Sequence, residues 1–296
     1  MATLTHQKKL RFSSLIIWSV LAFFIILYGV PLLWLLLAST RTESSLISDT
    51  PLSFGSFAAA KETYLNLASY NGGQIYTWAW NSVIYTVGSV TLTLLSCIPA
   101  GYALAMSEFR GRKFILIMTL IAMITPSQAI ILPIFLELTL LGLTNTYTGL
   151  ILASSFFPFG VYLAYIYYTT SLPKSVVESA RIDGCGHFQC FIHMGLPLAK
   201  PLVALVAFFS FVNNWNNYFL AFILISDDNK QNLPVGLTTL INSSGALNPQ
   251  EAANNLPIGQ PEAIQAAVLV VLPIIVVFLF SQSYVRSGLN AGAEKG

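Results

Sequence analysis

Six apolar runs, each long enough to cross a lipid bilayer as a helix, constrain the fold of this chain more than any other feature. A hydrocarbon core about 30 Å thick is crossed by about 20 helical residues. Inside it every backbone hydrogen bond must be made within the protein, which a helix does on its own. The sequence therefore predicts an all-α membrane protein with six transmembrane helices, near Ser13–Ala38, Trp80–Met106, Phe114–Leu138, Tyr147–Thr170, Pro201–Ile225 and Ala263–Tyr284.

The composition favours one integral membrane domain over the whole chain. Of the 296 residues, 55% are hydrophobic and 9% are charged, whereas about 25% of a soluble domain is charged. We expect residues 1–296 to form a single transmembrane domain, with longer connecting segments at residues 39–77, 171–200 and 226–262.

The basic residues set the orientation in the membrane. With the N-terminus inside the cell, Arg41, Lys61 and Lys230 lie on the outer side, and every other Lys and Arg lies in a cytoplasmic piece. The positive-inside rule then predicts that both termini are cytoplasmic. The net charge of +2 follows from this topology and gives no reason to expect nucleic-acid binding.

The cytoplasmic segment at residues 171–200, which we call the 171–200 loop, is polar and patterned. Ser175 and Glu178 have the spacing of a helix capping box. A short helix would then run to Asp183 and end at Gly184, which tolerates the left-handed conformation of a helix end. A second short helix is expected at about His187 to Met194. An ordinary structured connector remains an alternative, since the capping box explains Glu178 without any partner.

This loop resembles the EAA loop of ATP-binding cassette importer permeases, whose pattern is E-A-A, three residues, G, nine residues, I-x-L-P. Ser179 replaces the first Ala, and Met194 stands where Ile is usual. ESARIDG and LPLAKP resemble the carbohydrate-uptake branch, and Trp215-Asn216 with the C-terminal SGLNAGAEKG resembles its maltose-type members. The residues that match the loop pattern are Glu178, Ala180, Gly184, Leu196 and Pro197.

The resemblance implies an importer-type permease fold in a prokaryotic inner membrane, crossing the lipid several times. It implies four partners: a homologous second permease, an ATPase dimer, an extracytoplasmic sugar-binding protein that meets residues 226–262, and a sugar substrate. The two loop helices would couple to the ATPase, where Glu178 and Asp183 contribute position or charge pairing. The chain lacks G-x-x-x-x-G-K-[ST], so we expect no enzyme activity and no cofactor in it, with ATP and Mg²⁺ held by the ATPase.

The run FVNNWNNYF in the fifth apolar segment is a candidate lining of the transport pathway. Asn213, Asn216 and Asn217 share one helical face, and Trp215 or Tyr218 would offer an aromatic surface to a sugar. Polar residues at this depth line a pathway or hydrogen-bond neighbouring helices. Both interpretations remain open.

Three other kinds of chemistry are disfavoured. Cys97, Cys185 and Cys190 are too few and wrongly placed for a disulfide framework. The loop's four Cys and His residues lack the two separated ligand pairs of a structural zinc motif, so we expect no metal site at Cys185, His187, Cys190 and His193. The histidines lie in cytoplasmic pieces, which excludes a Ser–His pair within the bilayer.

The competing functional class is an ion-coupled secondary transporter. Such a protein needs an ionisable side chain near the middle of a membrane segment. None of the six segments offers an Asp, Glu or His at its centre, and no basic residue lies there to meet a phosphate. We therefore expect a neutral solute.

Overall fold

The computed structural model describes residues 2–242 and 258–290, and the surroundings of side chains over 16–242 and 258–282. Over these ranges the chain is helical, without a β-strand, which confirms the predicted all-α class. Three continuous helices in the described part are long and apolar enough to cross a membrane, and they lie within α1 (Ala2–Ala38), α4 (Gln74–Met106) and α15 (Gln260–Asn290).

Shorter helices make up the rest of the described structure. A single 3₁₀ turn occupies Tyr70–Gly72 and a π-helical turn occupies Phe191–Gly195. The α-helices are α2 (Glu43–Ser48), α3 (Phe57–Ser69), α5 (Arg112–Ile124), α6 (Ser127–Leu140), α7 (Tyr147–Ser154), α8 (Pro158–Ser171), α9 (Lys174–Ile182), α10 (His187–Cys190), α11 (Leu196–Leu198), α12 (Lys200–Trp215), α13 (Phe219–Leu224) and α14 (Leu233–Asn242).

The third and fourth predicted segments are bent rather than straight. α5 and α6 meet at 108°, and α7 and α8 meet at 43°. Both breaks occur at a proline, Pro126 and Pro158, because proline lacks an N–H and disfavours the helical conformation in the residue before it. The described helices give three spans, or up to six if each bent pair is one span. The count of six remains a prediction.

The prediction of one helix over Pro201–Ile225 is wrong. α12 ends at Trp215, and α13 begins only at Phe219. Asparagine side chains compete for backbone groups at this break: Asn214 Nδ2 donates to the Ser210 carbonyl at 2.8 Å, and Asn216 Nδ2 donates to the Val212 carbonyl at 2.9 Å.

The described residues divide into two compact units, one drawn from 1–72 and 240–269 and the other from 73–239 and 270–296. That the whole chain acts as one transmembrane domain stays a prediction.

In the first unit a buried cation organises the segment after α1. Arg41 is 1% exposed and its Nη2 donates to the Thr50 carbonyl at 2.7 Å and to Ser53 Oγ at 2.6 Å. Asp49 Oδ2 lies 3.8 Å from the same nitrogen. α3 follows this segment, and the Ser56 hydroxyl caps its start by accepting the Ala59 N–H at 3.0 Å.

In the second unit an apolar cluster joins the membrane helices to the 171–200 loop. Its buried members come from α4, α8, the loop and α12, and include Tyr102, Tyr168, Val177, Phe191 and Leu202. α4 and α8 approach closely at Gly101, where a Cβ atom would lie 2.3 Å from the Cβ of Ala164. A larger residue at this position would push the two helices apart.

Candidate functional site

The first helix of the 171–200 loop begins earlier than the sequence pattern indicated. α9 runs from Lys174 to Ile182 with Pro173 as its N-cap, and no side chain caps it. The predicted capping box of Ser175 and Glu178 does not form, because Ser175 lies inside the first turn, where its hydroxyl is not at the N-cap position. Glu178 is exposed and free of that local role.

The turn after α9 follows the prediction for Gly184. Its φ is +89°, in the left-handed region. The Gly184 N–H donates to the Arg181 carbonyl at 3.1 Å, and the Cys185 N–H donates to the Ala180 carbonyl at 3.0 Å. These two bonds define a Schellman motif, the usual helix end at glycine.

The second helical run of the loop is longer than predicted, because α10, the π turn and α11 continue one another from His187 to Leu198. Its start is capped by Gln189, whose Oε1 accepts the Gly186 N–H at 3.0 Å. The π turn packs against α4, since a Cβ atom on Gly195 would lie 2.8 Å from the Tyr102 ring. The Tyr168 hydroxyl also donates to the Gly195 carbonyl, at 3.3 Å.

The loop is therefore a fixed helix–turn–helix with a buried base and an exposed tip. Val177 and Phe191 belong to the apolar cluster of the membrane helices, and Ala180 packs against it. At the opposite side Ile182 is 86% exposed and Phe188 is 73% exposed. Two large apolar side chains on a polar loop are available to a partner protein.

A cavity of about 410 Å³, which we call the charged cavity, adjoins the loop. Arg181 Nη2 lies 2.8 Å from His187 Nε2 across the turn. The ion pairs in the described part of the chain are Arg41–Asp49 and Lys230–Asp227, so Glu178 and Asp183 make none there. The charged cavity is lined by Met106, Glu108, Lys174, Val177, Glu178, Arg181 and His187.

A second cavity, of about 420 Å³, brings together three of the four predicted pathway residues, Asn213, Asn216 and Asn217. We call it the asparagine cavity. Ser127, Gln128, Ser154 and Tyr218 supply its other polar groups, and apolar side chains of α6, α7, α12 and α13 complete the wall. Among the described residues that line it, none is charged.

Trp215 lies away from the asparagine cavity. It is 5% exposed, and its Nε1 donates to the Val270 carbonyl in α15 at 2.9 Å. The tryptophan therefore connects two helices. Asn217 also makes a helix-to-helix contact, since its Nδ2 donates to Ser154 Oγ at 3.0 Å. Trp215 and Asn217 thus hydrogen-bond neighbouring helices, and the lining of a transport pathway by Asn213, Asn216 and Asn217 stays a prediction.

Ser127, Gln128 and Ser154 were not predicted from the sequence as site residues. Each lies within two residues of a helix break, after Thr125-Pro126 or just before Phe157-Pro158. A polar residue beside a proline in an apolar run was the available signal, because backbone at membrane depth that is not helical needs polar partners.

The four Cys and His residues of the loop have other contacts. His193 Nδ1 lies 3.0 Å from the Gln189 carbonyl, and Cys190 Sγ donates to the Cys185 carbonyl at 3.6 Å. Within residues 2–242 and 258–290 no group of three or more His, Cys, Asp or Glu side chains is placed to hold a metal ion.

Comparison with known proteins shows that the sequence of this chain matches a protein family. Residues 97–290 match the family described as binding-protein-dependent transport system inner membrane component. The chain is 33% identical over 276 residues to the arabinooligosaccharides transport system permease protein AraQ of Halalkalibacterium halodurans, covering 93% of this chain and 94% of that protein. It is 32% identical to the diacetylchitobiose uptake system permease protein NgcG of Streptomyces coelicolor, covering 94% and 86%.

A solved structure has the same fold. One chain of a bacterial ABC transporter involved in the import of the acidic polysaccharide alginate matches with a TM-score of 0.77 at 23% identity, covering 93% of this chain and 97% of that one. The family match at residues 97–290 includes the residues that line both cavities and the 171–200 loop. The chain belongs to the family of binding-protein-dependent transport system inner membrane components.

Proposed function

We propose that this chain is the permease subunit of an ATP-driven, binding-protein-dependent importer of a neutral oligosaccharide, and that the solute passes the asparagine cavity. The observation that carries the proposal is the meeting of three helix breaks at one uncharged cavity that has polar and apolar lining residues. The α5–α6, α7–α8 and α12–α13 breaks each contribute lining residues. Interrupted helices at membrane depth are tolerated where they line a water-filled cavity, and they form the solute sites of many transporters.

The lining favours a solute rich in hydroxyl groups. Serine, glutamine, asparagine and tyrosine side chains both donate and accept hydrogen bonds, as sugar hydroxyls do. Without a cationic lining residue the cavity offers no counter-ion to an acidic sugar or a phosphate. The names of AraQ and NgcG refer to oligosaccharides, which agrees with this choice.

The 171–200 loop is the proposed docking site for the ATPase dimer. Its Schellman turn and its buried base give it a defined shape, and Ile182 and Phe188 supply apolar side chains to a cleft. The charged groups around Glu178 and Arg181 supply pairing partners at the edge. ATP and Mg²⁺ belong to that partner in the proposal.

The outer segment at residues 226–262 is the proposed contact for the solute-binding protein. Its beginning is held against α4, since Trp78 Nε1 donates to the Asp228 carbonyl at 2.8 Å, and Asn81 Nδ2 donates to the Asn229 and Gln231 carbonyls at 2.8 and 2.9 Å. Residues 243–257 lie outside the described part of the chain.

The proposal also includes a homologous second permease, cytoplasmic termini and contact of the remaining apolar surface with lipid. It replaces the ion-coupled alternative, which family membership disfavours. Among the described side chains the buried charged residues are Arg41 and Glu262, and both already have hydrogen-bond partners.

Uptake into vesicles that contain the native complex tests the proposal. We expect ATP-dependent accumulation of neutral oligosaccharides and none of acidic ones of equal length. Gly184→Asp should release the ATPase during purification and abolish accumulation. The second permease should remain bound, which shows that the variant is folded. Accumulation without ATP, driven by an ion gradient, would refute the proposal.

A further inference from the structure

Cys185 and Cys190 occupy the two positions that pack together around the start of α10. Gly186 is the N-cap, so Cys185 is the residue before the cap (N′) and Cys190 is the fourth residue of the helix (N4). A side-chain contact between these positions is a hydrophobic staple, which fixes the entry angle of the chain. Cys190 is 1% exposed, and Cys185 is partly buried against the same apolar cluster. Two apolar residues would make this contact equally well, so the structural role alone does not require cysteine at either position.

A direct contact also links the two residues. Cys190 Sγ donates to the Cys185 carbonyl at 3.6 Å, and both side chains pack in the same apolar cluster. Both cysteines are free. The third cysteine, Cys97, lies in α4, where its Sγ donates to the Phe157 carbonyl at 3.4 Å. It therefore provides a control within the same chain.

We propose that Cys185 and Cys190 form an oxidisable dithiol that closes to a disulfide within the folded 171–200 loop. Two S–H bonds break and one S–S bond forms, and two electrons and two protons pass to the oxidant. A peroxide is thereby reduced to water, or a low-molecular-weight disulfide to two thiols. The contact of Cys190 Sγ with the Cys185 carbonyl and the shared packing hold the two residues side by side before the reaction, which favours the intramolecular product.

Closure makes the staple covalent. Gly186 and the first turn of α10 then lie inside a small ring, so the direction in which the second helix leaves the turn is fixed. A loop that has to adjust against a moving ATPase loses that freedom. This regulatory consequence rests on the proposed coupling role of the loop, whereas the disulfide itself does not.

The pKa of Cys185 is raised in the folded loop. The interaction with the Cys190 side chain is the largest cause, followed by burial and the charge that Cys190 would carry. Because the thiolate is the reacting species, Cys185 reacts more slowly at neutral pH than an ordinary thiol. The other charged and titratable groups near it are Arg181, Asp183 and His187 in the loop and Tyr102 in α4.

Redox titration of the complex in its membrane tests the disulfide. Wild type and Cys97→Ser are equilibrated with mixtures of reduced and oxidised glutathione, and the peptide containing both cysteines is weighed after thiols are blocked. We expect a loss of two hydrogens in both proteins, reversed by dithiothreitol and absent in Cys185→Ser. The native protein should form the disulfide at a glutathione ratio about tenfold more reducing than the detergent-denatured chain requires, because the fold holds the thiols together.

A native midpoint equal to or more oxidising than that of the denatured chain would overturn the proposal, as would glutathione adducts in place of the disulfide. ATP-driven uptake is measured on the same samples. We expect oxidation to lower uptake several-fold in wild type and Cys97→Ser, with recovery on reduction, and to leave Cys185→Ser unaffected. Equal inhibition of Cys185→Ser would overturn the regulatory role. The disulfide itself is tested separately, by the glutathione titration.

Discussion

At the scale of single residues, the turn of the 171–200 loop depends on the conformational freedom of Gly184 but not on that of Gly186. Gly184 has a φ of +89°, and no atom lies within 4 Å of a Cβ placed there. Gly186 has a φ of −69°, which any residue adopts. The sequence predicted the left-handed conformation of Gly184 from the helix that precedes it.

Gly184→Ala should therefore destabilise the loop by about 1 to 2 kcal/mol, the cost of a left-handed conformation for an L-residue. Gly186→Ala is the matched control and should be neutral, since its Cβ would lie 3.6 Å from Gln189 Oε1. Hydrogen exchange of the amides in residues 174–198 measures the difference. Equal exchange in the two variants would contradict the argument.

Two neighbouring residues of α12 are expected to differ in function. Asn213 lines the asparagine cavity, whereas Trp215 donates to the Val270 carbonyl. Asn213→Ala should raise the KM for uptake several-fold with little change in thermal stability. Trp215→Phe should instead lower stability by about 1 kcal/mol, the net value of a hydrogen bond, and leave the KM unchanged. A raised KM for Trp215→Phe together with an unchanged KM for Asn213→Ala would instead indicate that Trp215 lines the pathway.

The pH dependence of Cys185 alkylation follows from the direction of its pKa shift. Because the pKa is raised, the thiolate fraction at neutral pH is lower than that of an ordinary thiol, and the rate continues to rise into the alkaline range. Cys190→Ala removes the hydrogen bond and should move the profile to lower pH. Iodoacetamide labelling in the Cys97→Ser background measures both profiles, and coincident profiles would show that the thiols do not interact.

At the scale of elements, apolar length predicted where helices occur but not where they bend. α1, α4 and α15 contain the predicted first, second and sixth segments. The bends at Pro126 and Pro158 followed from local sequence and were predictable. The end of α12 was not, because Asn213, Asn216 and Asn217 were assigned to one face of a continuous helix. The bonds from Asn214 to the Ser210 carbonyl and from Asn216 to the Val212 carbonyl depend on side-chain conformations that the sequence leaves open.

The π turn of the loop is expected to be sensitive to volume at Gly195. A Cβ there would lie 2.8 Å from the Tyr102 ring and 3.3 Å from the Phe191 ring. Gly195→Ala should cost about 1 to 3 kcal/mol through overpacking. The second change Tyr102→Leu should restore part of the loss by removing the ring. Thermal unfolding in detergent measures both, and an additive double variant would contradict the steric explanation.

At the scale of the whole molecule, the family could be predicted from the loop pattern, while the composition of the site could not. Glu178, Gly184 and Leu196-Pro197 carried the resemblance, and the family match agrees with it. Ser127-Gln128 and Ser154 come from two separate stretches of the sequence that only the fold brings to one cavity. Residues far apart in a sequence with no shared motif give no sign that they meet.

The uncharged lining of the asparagine cavity has an electrical consequence. One elementary charge that crosses a membrane at 100 mV exchanges about 2.3 kcal/mol with the field. A neutral oligosaccharide that passes side chains without charge exchanges none, so the membrane voltage neither assists nor opposes this step. Collapsing the voltage with an ionophore, at constant ATP, should leave the concentration gradient of the solute unchanged. All of the work of accumulation would then be chemical, and its upper limit would be set by the number of ATP molecules spent on each solute molecule.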